Sequence, residues 1–441
     1  MSSFLRSLIL LFFTLLISTT IFAQPPKTNS PYSRFGIGDL LDQRFAVSQT
    51  TGFTNAYHDY YHLNFQNPAS LSQLTTTTFD LGVYAQHSNW EDINGSNTSQ
   101  SGNLSYIAIG FAMLNPINQV LDREVKPLKW GMGFNLQPFS LVGYDLETIS
   151  DGGDEIGEIS TLFRGTGGTH QVQWANGVKY KNFSLGVNLG YLFGQIENSR
   201  IITLNEVFSS FENRFNDNIN INGFTWDVGA QYDLLIKTKD PRFQKRVTVG
   251  VTGNSGHDIN TSTSQFFERF NRTFIIPQDT ILNTSGIPGS ATLPATFGAG
   301  IVYVQSNKWQ VGVNYDFSAW SDYENDANPG DLLDTWRISV GGEYIPNYAS
   351  YNSFLKRVRI RAGAFVGRDP RSIDGEQINQ VGASIGFGLP LTLARQQVSF
   401  VNLAFEIGQN GGNTTISETY GRVTVGFTLN DNSWFFKRKF N

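Results

Sequence analysis

Apolar and polar residues alternate along most of the chain beyond its first 75 residues. In KWQVGVNYDFSAW, for example, an apolar side chain occupies every second position from Trp309 to Phe317. A period of two residues predicts a β-strand with one apolar face, and about fourteen segments show it. We expect strands at 76–89, 103–113, 128–142, 168–180, 183–202, 221–235, 245–255, 295–305, 308–321, 334–345, 356–367, 378–389, 397–408 and 417–429.

Each predicted strand is long enough to cross a membrane at a tilt, which takes about 9–11 residues. An even number of such strands can close into a barrel that exposes no strand edge to lipid. The pattern therefore predicts an all-β fold, a fourteen-stranded antiparallel transmembrane β-barrel. The alternatives are a large soluble sandwich or a propeller, and no repeat of about 40–50 residues supports a propeller.

The predicted links between strands differ in length. Residues 181–182 and 306–307 are short enough for tight turns, whereas 143–167, 203–220 and 256–294 are predicted to be long loops. Short connections at one end and long ones at the other are typical of outer-membrane barrels. We therefore expect a multi-pass barrel in a Gram-negative outer membrane, with its long loops outside the cell.

The composition agrees with this class of protein. The chain has 44 glycines and 14% aromatic residues, but only 16% charged residues, against about a quarter in soluble domains. It has no cysteine, which excludes disulfides and thiol chemistry. The formal net charge of −5 argues against a general nucleic-acid-binding protein, so we expect no nucleic-acid partner.

The two ends of the chain lack the strand pattern. Residues 1–23 combine Arg6, an apolar run and a small-residue cleavage site, which predicts a secretory signal peptide. Residues 24–75 are turn-rich and moderately apolar; outside the barrel wall they would form an arm, and inside it a plug. The barrel is predicted at 76–429, and a short basic tail follows at 430–441.

Four stretches together resemble a known family. They are Asn67-Pro68-Ala69, KWGMGFNLQPFSLVGYDLE at 129–147, the LP start and W…Y…W-S pattern at 293–323, and DTWRISVGGEYI at 334–345. In this order and spacing they resemble the FadL-like outer-membrane transport proteins, in the variant common in Bacteroidota. The resemblance implies an N-terminal hatch at 24–75 inside the lumen, anchored by Asn67, Pro68 and Ala69.

Pro138 interrupts the third predicted strand. Proline has no N–H to donate and belongs at strand edges or bulges. The resemblance implies that a break in this strand opens the barrel wall sideways, as a lateral gate through which an apolar substrate reaches the bilayer. The alternative is an ordinary strand end near the rim.

Two of the predicted loops carry phenylalanines at helical spacing. They are Phe208, Phe211 and Phe215 in one loop, and Phe266, Phe270 and Phe274, with Phe267 beside them, in the other. Spacings of three and four residues would place them on one face of an amphipathic helix. The resemblance implies an extracellular helical pair whose phenylalanines bind a hydrophobic ligand first. Alternatively, the two faces pack on each other as a cap.

Three arginines of one strand, Arg357, Arg359 and Arg361, are expected to face the lumen. They would bind the carboxylate head group of a ligand, or pair with hatch acids such as Asp39 and Asp42.

Motifs for catalysis are missing or incomplete. His58 and His62 have metal-ligand spacing, but the sequence supplies neither the glutamate of HExxH nor an evident third ligand. No GxSxG elbow occurs, and GTGGTH lacks the lysine of a phosphate-binding loop. We expect no enzyme activity, no cofactor and no metal.

Two functions remain at this stage. The first is passive uptake of hydrophobic compounds, fatty-acid-like or aromatic, by lateral diffusion through the barrel wall. The expected partners are then the outer-membrane lipid bilayer and a hydrophobic small molecule. The second is an adaptor subunit that binds other proteins in an outer-membrane secretion or assembly complex.

Overall fold

The computed structural model describes residues 30–93, 95–114, 127–153, 157–205, 211–238, 243–271, 276–392 and 397–431. The predicted signal peptide and most of the predicted tail lie outside the described residues, as do Phe208 and Phe274. Within the described part, no helix combines the length and the apolar character needed to cross a membrane.

Fourteen long strands, β1 to β14 in chain order, form one sheet. They are Thr77–Asp92, Gly95–Ala112, Leu128–Asp151, Glu158–Tyr180, Phe183–Leu204, Phe211–Ile236, Lys245–Asn254 with His257–Asn271, Ile276–Leu293 with Thr296–Gln305, Trp309–Ser318, Thr335–Tyr344, Arg359–Ile373, Glu376–Thr392, Val398–Asn410 and Ser417–Asp431. β7 and β8 therefore each consist of two pieces. Two short extended pieces, Asp39–Leu40 and Glu324–Asn325, add to the sheet.

The sheet closes on itself. β14 pairs antiparallel with β1 along its whole length, from Ser417 opposite Glu91 to Asp431 opposite Thr77. Successive strands between them also pair antiparallel. The predicted fourteen-stranded antiparallel barrel is confirmed.

The predicted long loops at 143–167, 203–220 and 256–294 are wrong. β3 continues to Asp151, β6 begins at Phe211, and the β7–β8 hairpin fills the third range. In these regions the outward face is polar, as in NDNININ at 216–222, where Asn220 is exposed and Ile219 and Ile221 are buried, so the pattern that marks a membrane strand is reversed. The tight turns are confirmed, with left-handed φ values of 54° at Lys181 and 62° at Asn307.

An apolar band surrounds the lower part of the barrel. On β5 every second side chain is exposed and apolar from Phe183 to Phe193, after which exposed Gln195 and Glu197 follow. These eleven residues match the length that a tilted membrane strand needs. Phe193 lies opposite His170 on one side and Asn222 on the other, and this row marks the upper edge of the band.

β3 to β8 continue well above that edge. We name their upper parts, 139–151, 158–169, 194–204, 211–222, 257–271 and 276–293, the crest. β9 and β10 have only ten residues each, so the barrel is much taller on one side than on the other.

The N-terminal segment, residues 30–76, contains a 3₁₀ helix at Pro31–Arg34, helix α1 at Ala46–Thr51 and a 3₁₀ helix at Pro68–Gln73. These elements contact strands all around the closed sheet, including β3–β6 and β10–β14. A segment with neighbours on every side of a closed barrel lies inside it. We name residues 30–76 the lumen segment.

Glycines make room for this segment in the wall. At each of several wall glycines an added Cβ would overlap a backbone atom of the lumen segment, as at Gly131 with Leu71, Gly177 with Pro68 and Gly250 with Asn55. The absence of side chains at these positions lets the segment pack directly on the strands. The high glycine content is therefore partly a packing requirement.

We predict that Gly250→Ala destabilises the packing of the lumen segment, because the added methyl group overlaps the carbonyl oxygen of Asn55. The expected cost is about 1–3 kcal/mol, and it should appear as faster protease cleavage within residues 30–76 of the purified barrel. Gly421→Ala is the matched control, since no atom lies within 4 Å of its added Cβ. Equal cleavage in the two variants would contradict the prediction.

Candidate functional site

The Asn67-Pro68-Ala69 motif begins a helical turn of the lumen segment. The Asn67 side-chain oxygen accepts a hydrogen bond from the N–H of Ala69 (3.1 Å), and its amide donates to the carbonyl of Asn55 (2.6 Å). Pro68 fits the first turn, where no N–H is needed. Asn67 is fully buried against Gly229 of β6. The motif thus ties two parts of the lumen segment together at the wall.

Buried ion pairs bind the lumen segment to the wall at its lower end. His58 Nε2 lies 3.0 Å from Asp233 Oδ1, and the same carboxylate pairs with Lys179 and accepts a hydrogen bond from Thr248 (2.7 Å). Because one carboxylate collects three neighbouring donors, its loss would leave several buried polar groups without a partner.

Two arginines of β11 form ion pairs, one with the lumen segment and one within the wall. Arg359 pairs with Asp59 of the lumen segment (2.7 Å), and Arg361 pairs with Glu343 of β10 (2.7 Å). Arg361 is only 1% exposed. Arg357 lies in the turn before β11 and not in the strand.

Asp39 and Asp42, which were predicted to pair with these arginines, form ion pairs with other arginines. Asp39 pairs with Arg371, which also forms a bidentate bond with Asp369. Asp42 forms a bidentate bond with Arg44, two residues along its own segment. Pairing between lumen arginines and segment acids therefore occurs, but with different partners from those the sequence suggested.

An apolar core fills the lumen at the base of the crest. It combines inward side chains of β3, β5, β6, β7 and β8 with Ile37 of the lumen segment and with the loop after β9. Its most buried members are Ile37, Val142, Leu192, Ile196, Ile219, Ile221, Ile259, Ala291, Leu293, Trp320, Tyr323 and Leu332. This packing closes the lumen beneath the crest with side chains from the wall itself.

The wall has an interruption beside Pro138. β2 and β3 pair only from Ala112 opposite Gly131 to Ile107 opposite Leu136. Above that point β3 pairs instead with the lumen segment, with Asp39 opposite Leu141 and Leu40 opposite Ser140. A bulge in the β3–β4 pairing falls between Pro138 and Ser140. Proline is thus placed where the ladder to the next strand ends, as its missing N–H requires.

Two chambers flank the stretch Leu40–Gln43 within the lumen. Chamber A, of about 370 Å³, is lined by five arginines and six acids: Arg44, Arg337, Arg368, Arg371, Arg422, Asp39, Asp42, Asp316, Asp369, Glu406 and Glu418. Chamber B, of about 300 Å³, is lined mainly by amides and apolar side chains, including Gln137, Gln171, Gln173, Phe139 and Leu293. Chamber A is therefore strongly polar, and chamber B is mixed.

The phenylalanines predicted to form helical faces lie on strands. Phe215 of β6 is directly opposite Phe267 of β7, and the two rings stack with centroids 4.0 Å apart. Phe266, which is adjacent to Phe267, and Phe270 also lie in β7, and Phe211 is the first residue of β6. The predicted helical pair is wrong, because the cross-strand ladder of β6 and β7 outcompetes the helical spacing of the aromatic residues.

One row of side chains crosses the inner face of the crest. Directly opposite neighbours on successive strands are Leu146, Phe163, Arg200, Phe215, Phe267 and Leu282. We name these six residues the crest row. Leu146 and Phe163 pack on the apolar core below, while Leu282 is 41% exposed. The guanidinium groups of Arg34 and Arg200 lie over the rings of Phe163 (3.9 Å) and Phe215 (4.3 Å).

A family model described as BamG matches residues 5–441. The chain belongs to the BamG family. No curated protein sequence matches it. The match spans nearly the whole chain, so the lumen segment, the barrel and the crest are all parts of this BamG-family protein.

Solved structures share the fold of the BamG-family chain. A FadL homologue from Pseudomonas aeruginosa aligns with a TM-score of 0.52 at 12% identity, covering 92% of this chain and 98% of that one. The toluene transporter TodX from Pseudomonas putida aligns at 0.52 and 13%, covering 88% and 98%. At this level of identity the likeness establishes a FadL-type barrel fold.

Sequence reasoning missed buried carboxylates in the wall of the BamG-family barrel, of which Asp233 contacts the lumen segment. Asp233, Glu343 and Glu406 each occupy an inward position of a strand whose outward positions are apolar. A charged residue at a buried position of an alternating strand is the signal that would have found them, since such a charge needs a partner.

We predict that Asp233→Asn loosens the lumen segment of this BamG-family barrel, because it leaves buried Lys179 and His58 without their carboxylate. Breaking a buried pair typically costs about 3–5 kcal/mol. The measurement is the denaturant midpoint for protease access to residues 30–76. Asp145→Asn is the control, because its pair with Arg164 is about half exposed (50% and 54%) and should contribute no more than ~1 kcal/mol. A control as destabilised as Asp233→Asn would contradict the assignment.

Proposed function

We propose that this BamG-family barrel is an outer-membrane adaptor that binds a partner protein at its crest. The observation that carries the proposal is that the chain's own segment occupies much of the lumen. The ion pairs Arg359–Asp59 and Arg371–Asp39 and the His58–Asp233 hydrogen bond bind it to the wall. The apolar core above this segment adds a second closure. A barrel filled in this way offers its outer surfaces and its crest, rather than an open lumen, to a partner protein.

The inner face of the crest has the character of a protein interface. Interface centres are rich in aromatic residues and arginine. The crest row supplies Phe163, Phe215 and Phe267, with Arg34 and Arg200 stacked on two of the rings. Above the membrane level this face meets water, where a half-exposed apolar row is costly unless another surface covers it. A partner with an apolar contact surface and acidic residues at its rim would complement it.

We predict that Phe215→Ser combined with Phe267→Ser removes the partner from barrels purified gently out of native outer membranes. Interface aromatics of this kind cost about 2 kcal/mol or more each when truncated, so binding should weaken about thirtyfold for either change alone and nearly a thousandfold for the two together. Native mass spectrometry measures the complex, and a photoreactive amino acid at position 215 should crosslink to the partner.

Phe266→Ser is the matched control, because Phe266 lies on the same strand but on its outer face. A lone barrel with a hydrophobic molecule in its lumen and no protein partner would refute the adaptor. Equal loss of the partner in the control would refute the crest row as the interface.

Passive uptake of a hydrophobic compound is the second candidate. It is favoured by the interruption in the wall between β2 and β3 beside Pro138, and by the fold shared with barrels described as a toluene transporter and a FadL homologue. In this case a substrate would pass sideways between β2 and β3 after Leu40 and Leu41 have moved aside. The FadL-like resemblance noted in the sequence supports the same route.

Ser105→Trp tests this route, since Ser105, Leu41 and Pro138 line the small cavity at the interruption. If the barrel is a channel, cells that carry it should take up labelled toluene or long-chain fatty acid faster than cells without it, and the bulky indole should abolish the difference. Thr98→Trp, at the exposed rim of the same strand, should leave uptake unchanged. Equal uptake with and without the barrel would exclude the channel.

A further inference from the structure

A second interruption of the wall lies four strands further around the barrel, between β6 and β7. The lower piece of β7 pairs with β6 up to Gly253 opposite Val228, and the upper piece resumes at Asn260 opposite Asn222. Residues 223–227 of β6 therefore face β7 without a ladder. β8 is interrupted at the same level, at Pro294–Ala295. We name this break, 223–227 against 254–259, the seam.

Side chains hold the seam in place of backbone pairs. The Asn254 amide donates to Asp227 Oδ1 at 2.7 Å, and its oxygen accepts from the N–H of Thr296 at 2.9 Å. The N–H of Trp226 donates to His257 Nε2 at 3.4 Å. Side-chain bonds of this kind rearrange more readily than a continuous ladder, because each can break without shifting the strands.

Chamber B lies on the inner side of the seam, and Asp227, Asn254 and His257 of the seam line it. On the outer side, next to the end of the intact ladder below the seam, is a groove of about 630 Å³ in the apolar band, lined by Val178, Leu185, Val187, Val228, Ala230 and Val251. Thr252, Gly253 and Phe297, beside the seam, line both cavities. The groove and chamber B thus approach each other at the lower end of the seam.

The lining of chamber B selects a class of ligand. Among its described lining residues are two carboxylates, Asp227 and Asp316, but no lysine or arginine. Asp316 already accepts from Asn55 (2.9 Å) and Asn314 (2.7 Å). An anion would find no lysine or arginine partner in this lining, while amides such as Gln171 can bond a hydroxyl or carbonyl group. Its volume lies at the lower end of small-molecule sites, about 300–1,000 Å³.

We propose that chamber B binds a small uncharged amphiphile, with one short apolar chain and a hydroxyl or carbonyl head, that enters from the bilayer through the seam. The apolar chain passes the groove and Phe297, and the head group reaches the amides of chamber B. This inference goes beyond the adaptor proposal and does not depend on it.

The absence of cysteine makes a direct test possible. The full-length barrel in lipid vesicles is illuminated with a ten-carbon alcohol that carries a diazirine, and labelled residues are mapped by mass spectrometry. We expect labels in chamber B, on the peptides with Phe139 and Leu293. An oxidised Asp227→Cys, Asn254→Cys pair should close the seam, because the two side chains are in contact. Labelling should then be lost, and should return on reduction.

Tyr232→Cys with Val249→Cys is the matched control, since these residues pair on the same two strands in the intact ladder and are not among the lining residues of chamber B or the groove. Its oxidation should leave labelling unchanged. The heat-dependent gel shift of folded barrels verifies that each variant folds.

A second probe tests the selectivity for uncharged ligands. The ten-carbon carboxylate that carries the same diazirine should not label chamber B at neutral pH. Labels confined to the groove, or unchanged labelling in the oxidised seam variant, would overturn the seam as the entrance. Equal labelling by the carboxylate would overturn the proposed selectivity.

Discussion

The structure depends on one constraint, the need of every backbone N–H and C=O in the wall for a hydrogen-bond partner where no water is present. In hydrocarbon an unpaired group costs several kcal/mol, and the pairing of β14 with β1 removes the last free edge. Each place where the ladder stops is therefore informative. At the β2–β3 break the lumen segment pairs with β3, and at the β6–β7 break the His257 side chain accepts a hydrogen bond from the N–H of Trp226.

The same constraint explains how the interior is filled. A lumen segment folded within a closed sheet buries its own polar groups, so its charged residues need partners on the wall. Asp59, His58 and Asp39 find them on β11, β6 and the top of β11, respectively. Glycines in the wall admit the backbone of the segment at close range. The polar interior and the glycine-rich wall thus have the same cause, which is the packing of the lumen segment inside the barrel.

The strand count and the closed barrel could be predicted from the sequence because the outward face is apolar within the membrane band, as on β5 from Phe183 to Phe193. The crest could not, since above the band the outward face is polar and inward residues such as Ile219 and Ile221 are buried, which reverses the pattern of a membrane strand. The spacing of aromatic residues within one segment gave a wrong prediction of secondary structure. Phe266 and Phe270 have the spacing of a helix face, but hydrogen bonding to the neighbouring strands makes their segment a β-strand. Which arginine pairs with which acid depends on register between distant strands, as with Arg359 and Asp59, and no local pattern encodes it.

The enclosure of the lumen segment has a consequence for how the chain assembles. Thr76, the last residue of the segment, donates to Asn430 of the final strand, 354 positions away in sequence. The segment touches the wall on all sides, so we expect the strands to gather around it before β14 pairs with β1. On this pathway the pairing of β14 with β1 is the last step of folding. Contacts at such separation carry a large loop entropy, and the early packing of the segment shortens the search for them.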